Sequence, residues 1–110
     1  MAGQNDSFVY VGKKPLMSYV LAAVMQINTE GREVIIKARG QAISRAVDVA
    51  EILRHKFVPN ANVKDIRIFT ETLQREDGSP SNVSSIEIVL FRGEDRGPAP
   101  KVANLAPPKP

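Results

Sequence analysis

The sequence predicts an α/β (α+β) two-layer sandwich, with two helices on one mixed four-stranded sheet in the order βαβαββ. Two observations carry that prediction. Two stretches of helical periodicity each follow a short apolar strand, and two period-2 runs joined by a turn-rich segment come after them.

Phe8-Val9-Tyr10-Val11 is an aromatic and β-branched run closed by Gly12, the pattern of a first strand. Pro15 marks the start of a helix, because the first helical position tolerates its fixed φ and missing N–H. From there Leu16, Tyr19 and Val20, Ala23 and Val24, and Ile27 recur at helical spacing, and the pattern ends between Asn28 and Gly31. Val34-Ile35-Ile36, between Glu33 and Lys37, makes a short buried strand that Gly40 breaks. Gln41 to Phe57 places Ile43, Ala46, Val47, Ala50, Leu53, Arg54 and Phe57 on one stripe, with Pro59 beyond its end. That is the second helix.

After the turn at Pro59-Asn60-Ala61-Asn62, Ile66, Ile68, Thr70 and Thr72 alternate with Arg67, Phe69, Glu71 and Leu73, as in an extended strand. A matching strand runs through Ile86, Ile88 and Leu90. Between them, Gln74 to Asn82 holds Asp77-Gly78 and Ser79-Pro80, so the two strands form a long hairpin with a protruding, mobile tip. Residues 1–7 read as a flexible start and 8–92 as one domain. Residues 93–110, with five prolines, read as a disordered tail.

The 110 residues suffice for one core and no second domain. No uncharged apolar run approaches the roughly 18 residues of a membrane-spanning helix, and the first residues lack a signal-peptide pattern. A cytoplasmic protein is the default expectation. The absence of cysteine excludes disulfides, thiolate metal sites and cysteine nucleophiles, and a lone histidine, His55, is a poor start for a zinc site. Neither a metal nor a cofactor is expected.

The net charge of +3 is unevenly spread. Residues 10–45 hold Lys13, Lys14, Arg32, Lys37, Arg39 and Arg45 against Glu30 and Glu33, a balance of +4, whereas residues 46–92 balance at −1. The excess sits at two junctions of the same design. Gly12-Lys13-Lys14-Pro15 and Lys37-Ala38-Arg39-Gly40-Gln41 each place basic residues and a glycine between a strand and a helix N-terminus. Cations beside the positive end of a helix dipole are mildly unfavourable until an anion joins them. If the first two strands are neighbours, both junctions emerge at one edge of the sheet, and Lys13, Lys14, Lys37, Arg39 and Arg45 converge on one anionic ligand. Two readings stay open at this point, a phosphate site or solvated loop charges. No phosphate-loop or dinucleotide-binding glycine pattern is present, so nucleotide hydrolysis is unsupported.

The same residues carry a resemblance. Val11-Gly12-Lys13-Lys14-Pro15-Leu16-Met17-Ser18-Tyr19, then Ile36-Lys37-Ala38-Arg39-Gly40-Gln41-Ala42-Ile43-Ser44-Arg45, then Ser85-Ile86-Glu87-Ile88 fall in unbroken order. Over about residues 7–92 the chain resembles the archaeal Alba chromatin proteins. That resemblance implies a homodimer, or a heterodimer with a paralogue, that binds double-stranded DNA and RNA without sequence preference and coats, bridges and compacts duplexes on the chromosome. It places Lys13 and Lys14 at the family's central lysine pair and Lys13 at its acetylated lysine, which implies an acetyltransferase and a deacetylase as partners. It aligns Arg39 and Arg45 with basic residues of the second junction, and Tyr19 with a tyrosine implicated in RNA contacts. Gln41 departs from the basic residue often found there, at a loss of one charge per protomer.

The resemblance also implies that each hairpin arm reaches along the minor groove, here through Arg75, Ser79, Ser81 and Asn82. It puts Phe57 at the contact between neighbouring dimers, although the stripe alone equally makes Phe57 a core residue. An RNA-directed role, in RNA stabilisation or as a ribonucleoprotein subunit, is the alternative within binding. From another class, a small nuclease would have to use Asp48, Glu51 and His55. Helix-surface charges, with Glu51 four residues before His55, account for those three more simply, so no catalytic residue is assigned.

Overall fold

The computed structural model describes residues 7–29 and 31–93. The proline-rich tail and the first six residues, both expected to be irregular, lie outside the described residues. Along the chain run β1 (Phe8–Tyr10), α1 (Leu16–Ile27), β2 (Glu33–Arg39), a 3₁₀ turn (Gly40–Ala42), α2 (Ile43–Ile52), a π turn (Leu53–Phe57), β3 (Ala61–Gln74) and β4 (Pro80–Arg92). This is the expected βαβαββ order, with two helices on one mixed sheet.

The strand order is β1-β2-β4-β3. β1 pairs parallel with β2, while β4 lies antiparallel between β2 and β3. Side-chain alternation then gives the sheet two faces. Val9, Val34, Ile36, Ala38, Ile86, Ile88 and Leu90 point to the helices and are buried against Val20, Ala23 and Ile27 of α1 and Ala46, Val49 and Ala50 of α2. Burying each of the valine, isoleucine and leucine side chains contributes about 1.5–3 kcal/mol, so this one cluster carries the fold. Phe8, Tyr10, Ile35, Lys37, Arg39, Phe69, Ser85, Glu87, Val89 and Phe91 lie on the opposite face by the same register, and among the described residues no helix covers that side.

Several boundaries differ from the sequence expectation, each for a tertiary reason. β2 extends to Arg39 because its ladder with β4 continues to the Arg39–Ser85 pair, past the three residues that β1 covers. β3 begins at Ala61 rather than Ile66, since the expected turn residues Ala61 and Asn62 pair with Arg92 and Phe91 and a bulge between Val63 and Asp65 restores the register. Pro15 precedes the first helical residue, with φ −55° and ψ 140°. The second helical stretch is divided into three. Gly40, at φ +60°, turns the chain out of β2 into a 3₁₀ turn. At the far end the Val58 N–H reaches back five residues to the Leu53 carbonyl at 2.8 Å, which widens the helix into a π turn before Pro59.

Candidate nucleic-acid interface

Because β1 and β2 are parallel neighbours, their C-terminal ends leave the sheet at one edge. The Gly12–Pro15 loop and the Arg39–Ala42 turn therefore sit side by side, each leading into a helix. Neither helix has a side chain bonded to its N-terminal N–H groups, and neither has an acidic residue in its first turn. The uncapped positive ends of two dipoles thus share an edge with exposed Lys13, Lys14, Arg39 and Gln41. An anion docked there would meet ammonium groups and backbone donors together.

The loop that carries the lysines is held from three sides. Arg45, in the first turn of α2, donates through Nε to the Gly12 carbonyl at 2.9 Å, and its Nη2 donates to the Lys14 carbonyl. The Tyr19 hydroxyl accepts the Lys14 N–H at 3.0 Å. A Cβ built on Gly12 would stand 3.3 Å from that hydroxyl, so glycine lets the loop lie against the ring. Tyr19 and Arg45 therefore shape the lysine loop, with both carbonyl-bound faces of the guanidinium turned inward.

Lys37, grouped by sequence with the junction cations, has other partners. Its ammonium lies on the helix-free face, 3.2 Å from Glu87, 4.2 Å from the centroid of the Phe8 ring and 5.3 Å from that of Tyr10. Arg39 stands at the edge itself, 3.1 Å from Glu71. Hydrogen bonds from Ser85 and then Arg39 hold the Glu71 carboxyl below the ordinary carboxylate range.

The hairpin arm projects the remaining candidates away from this edge. β3 and β4 stay paired out to Gln74 and Pro80, leaving a tip of only Arg75 to Ser79. Arg75 is exposed at its base, and Asn82 faces solvent with its Oδ1 accepting the Thr72 hydroxyl at 3.1 Å. The Asp77 carboxylate accepts the Ser79 N–H at 2.9 Å and its hydroxyl at 2.6 Å, which lowers its pKa and makes Ser79 a turn-forming residue.

Phe57 lies at the opposite end of the second helical stretch from Arg45, and its ring is partly exposed. Glu51 is engaged by Arg54 at 2.7 Å and by His55 at 3.0 Å, so it does not pair with Asp48. Beside β3 the helix-side surface stays open. Ile66 is 53% and Ile68 76% exposed, and Val47 on α2 is half-exposed as well. Sequence reasoning did not single out this apolar strip, nor the aromatic residues of the helix-free face, although the alternation of Ile66 and Ile68 with Arg67 and Phe69 carried the signal for both.

Comparison with known proteins places these features. The Alba family model matches residues 7–70. The protein of Thermoplasma volcanium named DNA/RNA-binding protein Alba is 62% identical over 88 residues, covering 80% of this chain and 98% of that one. The Archaeoglobus fulgidus DNA/RNA-binding protein Alba 1 is 58% identical over 87 residues, 79% of this chain and 97% of its own. The solved structure of Alba from Thermoplasma volcanium superposes with a TM-score of 0.72 over 77% of this chain and 99% of that one. ALBA1 from Trypanosoma brucei does so at 0.63 with 28% identity, over 80% of this chain and 70% of its own. The chain belongs to the Alba family.

Proposed function

We propose that this chain binds the phosphate backbones of DNA and RNA with little sequence preference, as a dimeric architectural protein of the chromosome, and has no catalytic role. The observation that carries this reading is the shared edge, where exposed Lys13 and Lys14 are held by Arg45 and Tyr19 beside two uncapped helix ends. Family membership supports it, since relatives at 62% and 58% identity are named DNA/RNA-binding proteins. The exposed cations of the edge, Lys13, Lys14 and Arg39, suit phosphates of any sequence, so affinity comes mainly from charge.

The dimer gathers two such edges. Ile66, Ile68 and Val47 form the strip that a second copy covers, which puts α2 and β3 at the interface and leaves one hairpin arm at each end to follow the duplex. A paralogue with a matching strip would fit equally. Arg75 and Asn82 are the arm's contacts, Gln41 contributes a neutral donor, and Phe57 joins neighbouring dimers so that the protein coats and bridges DNA. Exposed Lys13 is open to an acetyltransferase and a deacetylase, and acetylation would remove one charge per protomer from the edge. The cytoplasm, with the protein on the chromosome, is where this reading places it. An RNA-stabilising role uses the same edge.

The test is a salt titration on a short duplex. With roughly 4–8 phosphates neutralised per dimer, log K falls against log salt with a slope of about −4 to −7. Lys13→Ala/Lys14→Ala makes that slope shallower by about 0.9 for each phosphate no longer neutralised, and leaves thermal unfolding nearly unchanged because exposed charges contribute little to folding. A wild-type slope near zero, or an unaltered slope in the double variant, would refute the reading.

A further inference from the structure

Four of the chain's six phenylalanine and tyrosine residues, Phe8, Tyr10, Phe69 and Phe91, lie on the sheet face that no helix among the described residues covers, and each is at least 38% exposed. A solvated sheet face ordinarily carries polar side chains at such positions. Tyr10, at 62%, is the most exposed of the four. Tyr10 and Phe69 come from opposite edge strands yet line one shallow depression, whose floor holds Lys37, Arg39, Ser85 and Glu87.

We propose that this face is a stacking platform for single-stranded nucleic acid, with nucleobases on the Tyr10 and Phe69 rings and Arg39 guiding the backbone over the edge from the lysine loop. The proposal rests on the nucleic-acid reading above and adds a second surface to it. Its chemistry differs from that of the edge. Lys37 is paired with Glu87, Arg39 with Glu71, and Arg67 with Asp65 and Glu87, so cations and carboxylates balance across the face. A near-neutral aromatic surface repels no base and attracts no run of phosphates. Base–ring stacking supplies the affinity, while phosphates stay at the rim, where Arg39 belongs to both surfaces.

The geometry suits a strand and not a duplex. Phe8 and Tyr10, two residues apart on β1, are separated by roughly 7 Å along the strand, and the three strand spacings from β1 to β3 span about 14 Å. Unstacked bases can be splayed across such distances, whereas the paired bases of a duplex present no free ring face. The Lys37 ammonium, close to both the Phe8 and Tyr10 rings, fixes that side of the platform before any ligand arrives. Ser85 and Glu87 on the floor offer acceptors to exocyclic amino groups.

The full chain would be titrated by fluorescence anisotropy with 12-nucleotide oligouridylate, its thymidine DNA counterpart and a 12-base-pair duplex. Tyr10→Ala and Phe69→Ala each weaken both single strands about tenfold and leave duplex affinity within about twofold, while Tyr10→Phe keeps wild-type binding. Unchanged single-strand binding in both alanine variants overturns the proposal, as does an equal loss on all three probes. A shift in oligomeric state for Tyr10→Ala with single-strand binding intact also overturns it and assigns the face to a second copy. Lys13→Ala/Lys14→Ala serves as the separate arm: if it keeps duplex binding while Tyr10→Ala loses single strands, the edge reading fails and the platform stands.

Discussion

Arg45 Nε donates to the Gly12 carbonyl at 2.9 Å, tying the first turn of α2 to the loop that carries the lysine pair. A residue that the sequence resemblance aligns with basic nucleic-acid contacts thus also holds the loop of Lys13 and Lys14. If Arg45 acts as a clamp and not as a phosphate ligand, Arg45→Ala should lower duplex affinity while leaving the salt slope within about one unit of wild type. It should also cost about 1.5–3 kcal/mol of stability in urea unfolding, the range for hydrogen bonds to a charged group. Arg45→Lys should not restore either property, since a single ammonium lacks the fork that spans both carbonyls. A slope as shallow as that of the lysine double variant would instead make Arg45 a direct phosphate ligand.

Ile68 is the most exposed large apolar residue of β3 and faces the helix side, where no helix covers it. In an isolated protomer Ile68→Glu disturbs no buried packing, so the fold should survive. In a dimer built on this strip it buries two charges. Sedimentation at increasing concentration should show a folded monomer with weak duplex binding, and a variant that dimerises like wild type would move the interface elsewhere.

Phe57 closes the π turn with its ring 42% exposed. Truncation to Ala should therefore cost less than the 3–5 kcal/mol typical of a buried phenylalanine. Binding to a short duplex should be unchanged, and cooperativity on long DNA should fall. Unfolding of Phe57→Ala would show instead that the ring is needed to seal the core.

Burial raises the pKa of Glu51, but hydrogen bonds from Arg54 and His55 outweigh it and leave the carboxyl below its ordinary 4.5. A depressed carboxylate stabilises the fold above its unfolded pKa, and that contribution is lost as pH falls through the folded value. Glu51→Gln should therefore be less stable than wild type at pH 7 by a small margin, given the partial exposure. The difference should close as the pH drops below about 4.5. A margin that persists at pH 2 would assign it to packing.

The core was legible in the sequence because helix and strand periods both survive there: Val20, Ala23 and Ile27, or Ile86, Ile88 and Leu90, announce a buried face by spacing alone. The start of β3 was hidden because Ala61 and Asn62 have turn chemistry and are strand residues only through pairing with β4. At the site, the glycine and the lysine pair between a strand and a helix marked the edge. Charge alone could not show that Arg45 turns toward backbone carbonyls or that Lys37 is held by Glu87 and two rings, whereas Lys13 and Lys14 are exposed. That distinction depends on which face of the sheet a residue occupies and on what stands across from it.

The β3–β4 ladder continues to Gln74 and Pro80, well past the rows that β2 reaches. Beyond Arg39 and Ser85 the arm is a ribbon of two strands, tied to β2 at its base by the Arg39–Glu71 ion pair and held farther out by its own hydrogen bonds and cross-strand pairs such as Thr72 and Asn82. Such a ribbon is marginal in water, so its amides open to solvent at a far lower free energy than those of the core strands. Rigidity is thus graded along a single pair of strands, fixed where β4 is sandwiched and compliant toward the tip. A compliant arm can adjust to a narrow or a wide groove at little elastic cost, and the ordering entropy it gives up on docking offsets part of the binding energy. On the function proposed above, the stiff half sets where the lysine edge meets a duplex, and the soft half accommodates whichever helical form lies beneath it.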